Sequence, residues 1–222
     1  MAWRCSGSSN KELVDKLWQA GLLTSLRLRE AMESVDRANY LAPSMAASAY
    51  TDSPQSIGHG ATISAPHMHA AACQHLLDFL QPGMRVLDVG SGSGYLVAVM
   101  SALVHDGAVV GMEHIAPLSR LAKDNLQRDG RAGLMQDGRV ELVCGDGRKG
   151  YPPRAPYDAI HVGAAAPEVP SALVEQLKAP GRMFIPVGTK DQSVYQIDKD
   201  AEGKVTMTAL FGVRYVPLTD AP

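Results

Sequence analysis

No apolar stretch in the 222-residue chain approaches the ~20 residues that a bilayer-spanning helix needs, so no membrane association is expected. The opening MAWRCSGSSN lacks the apolar core of a secretory leader, and none is expected. Cysteine is scarce. Cys5, Cys73 and Cys144 are odd in number and far apart, which argues against a disulfide framework and fits a reducing, cytoplasmic setting. Neither sign of charge dominates: the formal net charge of −2 provides no long-range field for nucleic acid or an anionic membrane. Internal repeats and low-complexity segments are absent as well. What remains is a chain with 45% hydrophobic residues, enough for one well-packed domain.

The N-terminal third reads as helical. Ser9 followed by Glu12 has the pattern of a capping box, and Leu13, Leu17 and Trp18 then share a helical face. A second helix is expected from Thr24 or Ser25, with Leu26, Ala31, Met32 and Val35 inward. Residues 39–62 show no sustained period and read as loop. A third helix is expected from Ser64 to Leu80, with Ala72, Leu76, Leu77 and Leu80 inward.

After Pro82-Gly83 the pattern changes to strands (Val86–Val89, Ala108–Met112, Val140–Val143, Ala159–Val162 and Met183–Val187) alternating with helices near 94–104, 117–128 and 170–178. Such alternation predicts a doubly wound, mostly parallel sheet. Two last runs, near 193–197 and 204–216, are joined by Asp200-Ala201-Glu202-Gly203 and should close as an antiparallel hairpin. The fold class is α/β, with seven strands, an N-terminal helical extension and a C-terminal hairpin. Residues 1–82 read as helices and a covering loop belonging to the same domain as residues 83–222.

The strongest local signal is Val86-Leu87-Asp88-Val89-Gly90-Ser91-Gly92-Ser93-Gly94, a strand running through a glycine-rich turn into a helix. The missing Cβ atoms of Gly90 and Gly92 let a ligand approach the backbone of the turn, Ser91 between them included. A bland reading, a turn that only packs strand on helix, competes with this. A dinucleotide loop is disfavoured, because Tyr95 stands where that fingerprint needs a small residue and Asp88 lies inside the strand. Glu113 ends the next strand, and an acceptor-only carboxylate there suits a ribose diol. Gly145-Asp146-Gly147 ends the third: Asp146 can accept from an exocyclic amine, and the Gly147 N–H can donate to a ring nitrogen.

An acid with glycines, a second acid and Asp-Gly after three successive strands resemble the class I methyltransferases that bind S-adenosyl-L-methionine. The resemblance implies that Asp88 orients the methionine end or the loop, Glu113 binds the ribose, and Asp146 with Gly147 reads the adenine. After the fourth strand comes His161-Val162-Gly163-Ala164-Ala165-Ala166-Pro167. The Asn/Asp-Pro-Pro-aromatic motif of enzymes that methylate DNA amines is missing there, as is the carboxylate cluster of metal-dependent catechol methyltransferases. The small side chains, Ala164 and Ala165 among them, are expected to form a floor that a peptide backbone can approach.

Ser53-Pro54-Gln55-Ser56-Ile57-Gly58, Ala61-Thr62-Ile63-Ser64, Pro66-His67-Met68-His69, Gly145-Asp146-Gly147-Arg148, the run Ala155 to Pro167, and Tyr215-Val216-Pro217-Leu218-Thr219-Asp220 together resemble the protein-L-isoaspartate O-methyltransferases. That family methylates the free carboxylate of L-isoaspartyl residues, and of D-aspartyl residues in eukaryotic members, which starts the repair of aged proteins. The resemblance implies that Ser64 is the active-site serine, that Ala61, Thr62, Ile63, His69 and Thr219 contact cofactor or substrate, and that Val216 offers substrate a backbone contact. Glu113 stands where many relatives have Asp, and Pro43–Ala49 follows no pattern of the family.

A carboxylate is ionised at pH 7 and needs no strong base, so a neutral hydroxyl such as Ser64 suffices to hold it. Ser64 can equally be read as the N-cap of the helix that follows. His59, His67 and His69 invite a metal reading, but His-x-His on a helix sets the two rings about 200° apart, and no metal is expected. His161 reads as a satisfied core histidine. Two other readings compete: a methyltransferase for small molecules or nucleic acids, and a non-catalytic sensor of aged peptides. The expected partners are isoaspartyl-containing proteins and peptides, with the enzyme acting as a monomer.

Overall fold

The computed structural model describes residues 5–219. Residues 1–4, where the leader expectation begins, and Asp220 of the C-terminal motif lie outside the described residues. Two helices open the chain, α1 (Asn10–Gln19) and α2 (Leu26–Ser34). The Ser9 hydroxyl caps α1 by accepting from the Glu12 N–H at 3.2 Å. Glu12 does not return to Ser9: its carboxylate accepts from the Ser8 N–H and hydroxyl at 2.7 and 2.6 Å, closing the box one residue early. In α2 the inward leucine is Leu28. Leu26, expected inward, is the first helical residue and 62% exposed.

Residues 39–62 are more ordered than a loop. Turns of 3₁₀ helix cover Arg37–Tyr40 and Pro43–Ser48, and a small antiparallel hairpin follows, β1 (Gln55–Gly58) with β2 (Ala61–Ile63). Its turn is Gly58-His59-Gly60, with φ of +86, +53 and +73°. The strands are too short, and too exposed on one face, for a period of two to register. Helix α3 spans Pro66–Leu76 and continues as a 3₁₀ turn, Leu77–Phe79. Its N-cap is Ala65, without a side-chain capping bond, so the cap reading of Ser64 is corrected.

The remaining elements are β3 (Arg85–Val89), α4 (Tyr95–Val104), β4 (Ala108–Glu113), α5 (Ala116–Arg128), α6 (Ala132–Gln136), β5 (Val140–Cys144), β6 (Tyr157–Val162), α7 (Ser171–Gln176), β7 (Leu177–Val187), β8 (Gln192–Lys199) and β9 (Val205–Val213). Seven strands form one sheet in the order β5-β4-β3-β6-β7-β8-β9. The first five are parallel, and β8 and β9 complete it antiparallel, as the alternation predicts. Every residue of β6 is buried, the mark of a strand covered on both faces. One face packs on Leu13, Leu17, Leu28, Met32 and Leu76 of the N-terminal helices together with Val97 and Met100 of α4. The other face packs Val110, Ile160, Met183 and Ile185 against Leu173 of α7. The expected last strand ends at Val213, so residues 214–216 run outside the sheet.

The chain enters the sheet at β3, winds outward to β5, and crosses back to β6 on the other side of β3. Strand order thus reverses between β3 and β6, and a crevice opens beyond their carboxyl ends. The glycine loop and Gly163 follow those two ends.

Candidate active site

The loop leaves β3 with Gly90, Gly92 and Gly94 at φ of +78, +50 and +82°, the left-handed region open to glycine. Gly94 has a second constraint, since a Cβ there would lie 3.1 Å from Cβ of Ala122 in α5. Loop and β6 approach closely: the Gly163 N–H donates to the Val89 carbonyl at 2.8 Å. Glu113, at the end of β4, fixes the loop from the other side. It is 6% exposed, and its carboxylate accepts from the Gly92 N–H and the Ile115 N–H, both at 3.0 Å. Asp146 follows β5 and receives both guanidinium arms of Arg148 at 2.9 Å. These bonds hold its carboxyl below the usual range.

Asp88 is buried and accepts from Nδ1 of His161 at 2.7 Å, and the His161 ring stacks on Phe184. His161 is thus a satisfied buried side chain. His69 is buried too, and its Nδ1 has no partner among the described residues. Burial is the main reason its pKa lies well below the ordinary value, with Arg37, His161 and His67 adding to the shift.

Beneath Ser64 lies a fully buried arginine. Arg37 donates through Nη2 to the Ser64 carbonyl at 2.9 Å and stacks over the Tyr95 ring at 5.5 Å. Burial lowers its pKa to about 10, against the opposing pull of Tyr95 and Asp52. Asp52, also buried, accepts from the His67 N–H at 3.0 Å and from His67 Nδ1 at 2.9 Å. The Ser64 hydroxyl and the Tyr215 phenol line the same outer cavity; burial pushes the phenol's pKa up to about 12, and Ser64 works against that rise.

Three cavities share Thr62 and Gly163 as walls. The inner one, about 270 Å³, is lined by Ala61, Gly90, Gly92, Glu113, Asp146 and Gly147, and Ala164, Val216 and Thr219 close it. A small neck of about 30 Å³ lies between Ile63, Ser64, His69, Asp88 and Ser91. The outer cavity, about 310 Å³, opens beside Ser64, Met68 and Val216. Every expected site residue therefore reaches a cavity wall except Ala165. Its N–H donates to the Val216 carbonyl and its carbonyl accepts from the Leu218 N–H, both at 2.8 Å, so it braces the C-terminal segment from behind. The same bond occupies the Val216 carbonyl, and the Val216 N–H has no hydrogen-bond partner among the described residues.

Several residues of the site carry no signal in the sequence that marks them as part of it. His59 and Gly60 form the hairpin tip over the inner cavity, and His114 bonds the Thr219 carbonyl at 3.0 Å across its rim. Gln192 clamps Tyr215, accepting from its N–H at 2.6 Å and donating to its carbonyl at 3.2 Å. The Gly-His-Gly triplet signals the hairpin tip, whereas no local pattern reveals the Gln192 clamp. Among the described residues no group of three or more His, Cys, Asp or Glu side chains is placed to hold a metal ion.

Residues 8–222 match the family model described as protein-L-isoaspartate(D-aspartate) O-methyltransferase. A protein-L-isoaspartate O-methyltransferase of Triticum aestivum is 51% identical over 211 residues, 95% of this chain and 91% of the relative. One from Caenorhabditis elegans is 48% identical over 222 residues, 99% and 96% of the two chains. The crystal structure of a Plasmodium falciparum protein named for the same activity, in complex with S-adenosyl-L-homocysteine, superposes with a TM-score of 0.88 at 32% identity, covering 96% of this chain and 99% of that one.

Proposed function

The chain belongs to the protein-L-isoaspartate(D-aspartate) O-methyltransferase family, and from that premise we propose that it transfers a methyl group from S-adenosyl-L-methionine to the free carboxylate of L-isoaspartyl residues. D-aspartyl residues are included as substrates in this reading, and the reaction starts the repair of damaged proteins and peptides. The observation that carries it is the neck: an inner cavity walled by carboxylates meets an outer one across it, and Ser64 faces both the neck and the outer cavity.

The inner residues fit the methyl donor. After their protein bonds, the Glu113 and Asp146 oxygens keep lone pairs for further donors. A ribose diol and an exocyclic amine supply such donors, and the glycine loop admits the chain between them. Bound there, the donor supplies a methyl group already activated by its sulfonium charge. The protein's own task is positioning and partial exclusion of water. Ser64 holds the acceptor carboxylate through its hydroxyl, and a neutral donor leaves the oxygen nucleophilic. The free Val216 N–H aligns the peptide backbone. Asp88 and His69 lie at the neck, where Asp88 orients the amino end of the donor. The hairpin residues Ala61, Thr62 and Ile63 cover it.

Residues 1–82 act as a cover built into the same domain, sharing its core with α4. Cavities completed by one chain support action as a monomer. Three free cysteines support a cytoplasmic location. No helix among the described residues is long and apolar enough to cross a membrane. Nucleic acid and membrane surfaces are not expected partners at a formal net charge of −2. The test is labelled methyl transfer to paired peptides that differ only in isoaspartyl or aspartyl linkage. The normal linkage carries its carboxylate one bond further from the backbone, and ~1 Å of misplacement costs on the order of a hundredfold. Equal kcat/KM for the two peptides would overturn the assignment.

A further inference from the structure

The outer cavity has one charged wall. Of the described residues that line it, Pro54, Thr62, Ser64, Ala65, Met68, Gly163, Tyr215 and Val216 are neutral, and only Arg214 carries a charge. Its side chain is exposed and makes no hydrogen bond or ion pair among the described residues. The segment beneath it is fixed. Gln192 holds both the N–H and the carbonyl of Tyr215, and the Val216 carbonyl accepts from Ala165. Exposure alternates along this segment, with half-buried Tyr215 between exposed Arg214 and Val216. Tyr215 turns inward to Ser64, and Arg214 and Val216 share the exposed side. Val216 reaches the inner cavity as well as the outer one, whereas Arg214 reaches the outer one alone. Arg214 is thus set on the outward side of the reacting position, two residues before Val216 and at most about 7 Å of backbone from it.

We propose that Arg214 forms a subsite for an acidic side chain one or two residues from the isoaspartyl residue. This rests on the methyltransferase reading above. A peptide lying along residues 214–216 spans about 7 Å in two residues, which brings a neighbouring Asp or Glu opposite Arg214 while its isoaspartyl carboxylate meets Ser64. Among the described residues no acid lines the cavity to compete for the cation. The pair remains solvated, so it adjusts preference among substrates and leaves the isoaspartyl requirement to the inner groups.

The experiment uses isoaspartyl peptides in twins, with Glu or Gln at each of the two positions on either side, and reads kcat/KM for each twin. For the protein itself, Glu is favoured about two- to fivefold at one or more positions, the range of an exposed ion pair. The preference shrinks as salt rises from 0.05 to 0.5 M. In Arg214→Gln the Glu/Gln ratio falls to about one, and Arg214→Glu inverts it. A ratio of one in the unaltered protein, or a ratio retained in Arg214→Gln, overturns the subsite. Equal losses on both twins overturn it too, because they would put Arg214 on the isoaspartyl carboxylate itself. Each of these outcomes leaves the discrimination between isoaspartyl and aspartyl linkage intact, and so is distinguishable from failure of the methyltransferase reading.

Discussion

Glu113 tests whether the glycine loop is held by a charge or merely by its own turns. Its two oxygens each accept one backbone N–H, from Gly92 in the loop and from Ile115 before α5. Glu113→Gln preserves size but replaces one acceptor by an NH₂ donor. One of the two N–H groups must then face a donor in a site only 6% exposed. A hydrogen bond to a charged group contributes about 1.5–3 kcal/mol, and an orphaned buried donor costs about 1–3 kcal/mol. The expected loss is therefore about 2 kcal/mol of stability in the free protein, or a Tm lower by roughly 4–8 °C for a domain of this size. Glu113→Asp keeps charge and both acceptors on a shorter arm and should lose less. S-adenosyl-L-homocysteine binding, read by calorimetry, should weaken in Glu113→Gln by a further ~1–3 kcal/mol, because the diol loses a charged acceptor. A Glu113→Gln protein with unchanged Tm and unchanged affinity would refute both the anchoring of the loop and the role given to the carboxylate.

Ser64→Ala separates chemistry from capping. Because Ala65 caps α3, the substitution removes only the Tyr215 contact, ~1 kcal/mol or less, while turnover should fall by about tenfold or more through lost alignment; near-normal initial rates alongside a large drop in melting temperature would remove Ser64 from the chemistry. His69 should set part of the acid limit of stability. Its folded pKa lies below the unfolded value near 6.5, so the unfolded chain binds a proton that the folded chain does not. Its contribution is full above about pH 6.5 and is lost as pH falls toward the folded pKa, by up to ~1.4 kcal/mol per unit. Denaturant titrations between pH 7 and 5 should show a shallower slope in His69→Gln, and parallel slopes would contradict the burial argument.

The sheet was legible because its signals are local. Val86 to Val89 carries β-branched and aliphatic side chains into a glycine turn, and Asp200 to Gly203 closes a hairpin in which the Asp200 carboxylate accepts from Glu202 and Lys204. The acids at the strand ends could be placed for the same reason, since a strand end is a local event. Arg37 is different. It follows Asp36 in a polar stretch that reads as a solvated helix end, and its burial arises from Tyr95 and Ser64, both distant in sequence. The same holds for Gln192 on Tyr215, and for Ala165, whose neutral side chain says nothing of a backbone already spent on Val216 and Leu218. Leu26 misled for a simpler reason: the helical period applies from the first turn, but the first residue of α2 projects beyond the neighbour it would pack on.

The buried charges explain how so polar a segment as residues 52–70 stays in place. A stretch rich in Gly, Pro, Ser and His cannot anchor itself by apolar burial, so it must be held through its backbone. Asp52 grips the start of α3 through the His67 N–H and ring, and Arg37 grips the Ser64 carbonyl between the hairpin and that helix. Both anchors sit below the strap, leaving its upper surface and the tip at His59-Gly60 to cover the inner cavity. The arrangement is expensive: burial lowers the guanidinium pKa to about 10, an effect on the order of a few kcal/mol against the charged form. A leucine at position 37 would avoid that cost but leave the Ser64 carbonyl without its donor and take away a cation that attracts the buried Asp52. A side chain held at such expense, bonded to the backbone of the residue proposed to meet the acceptor, is better explained by the need to fix Ser64 than by stability of the core.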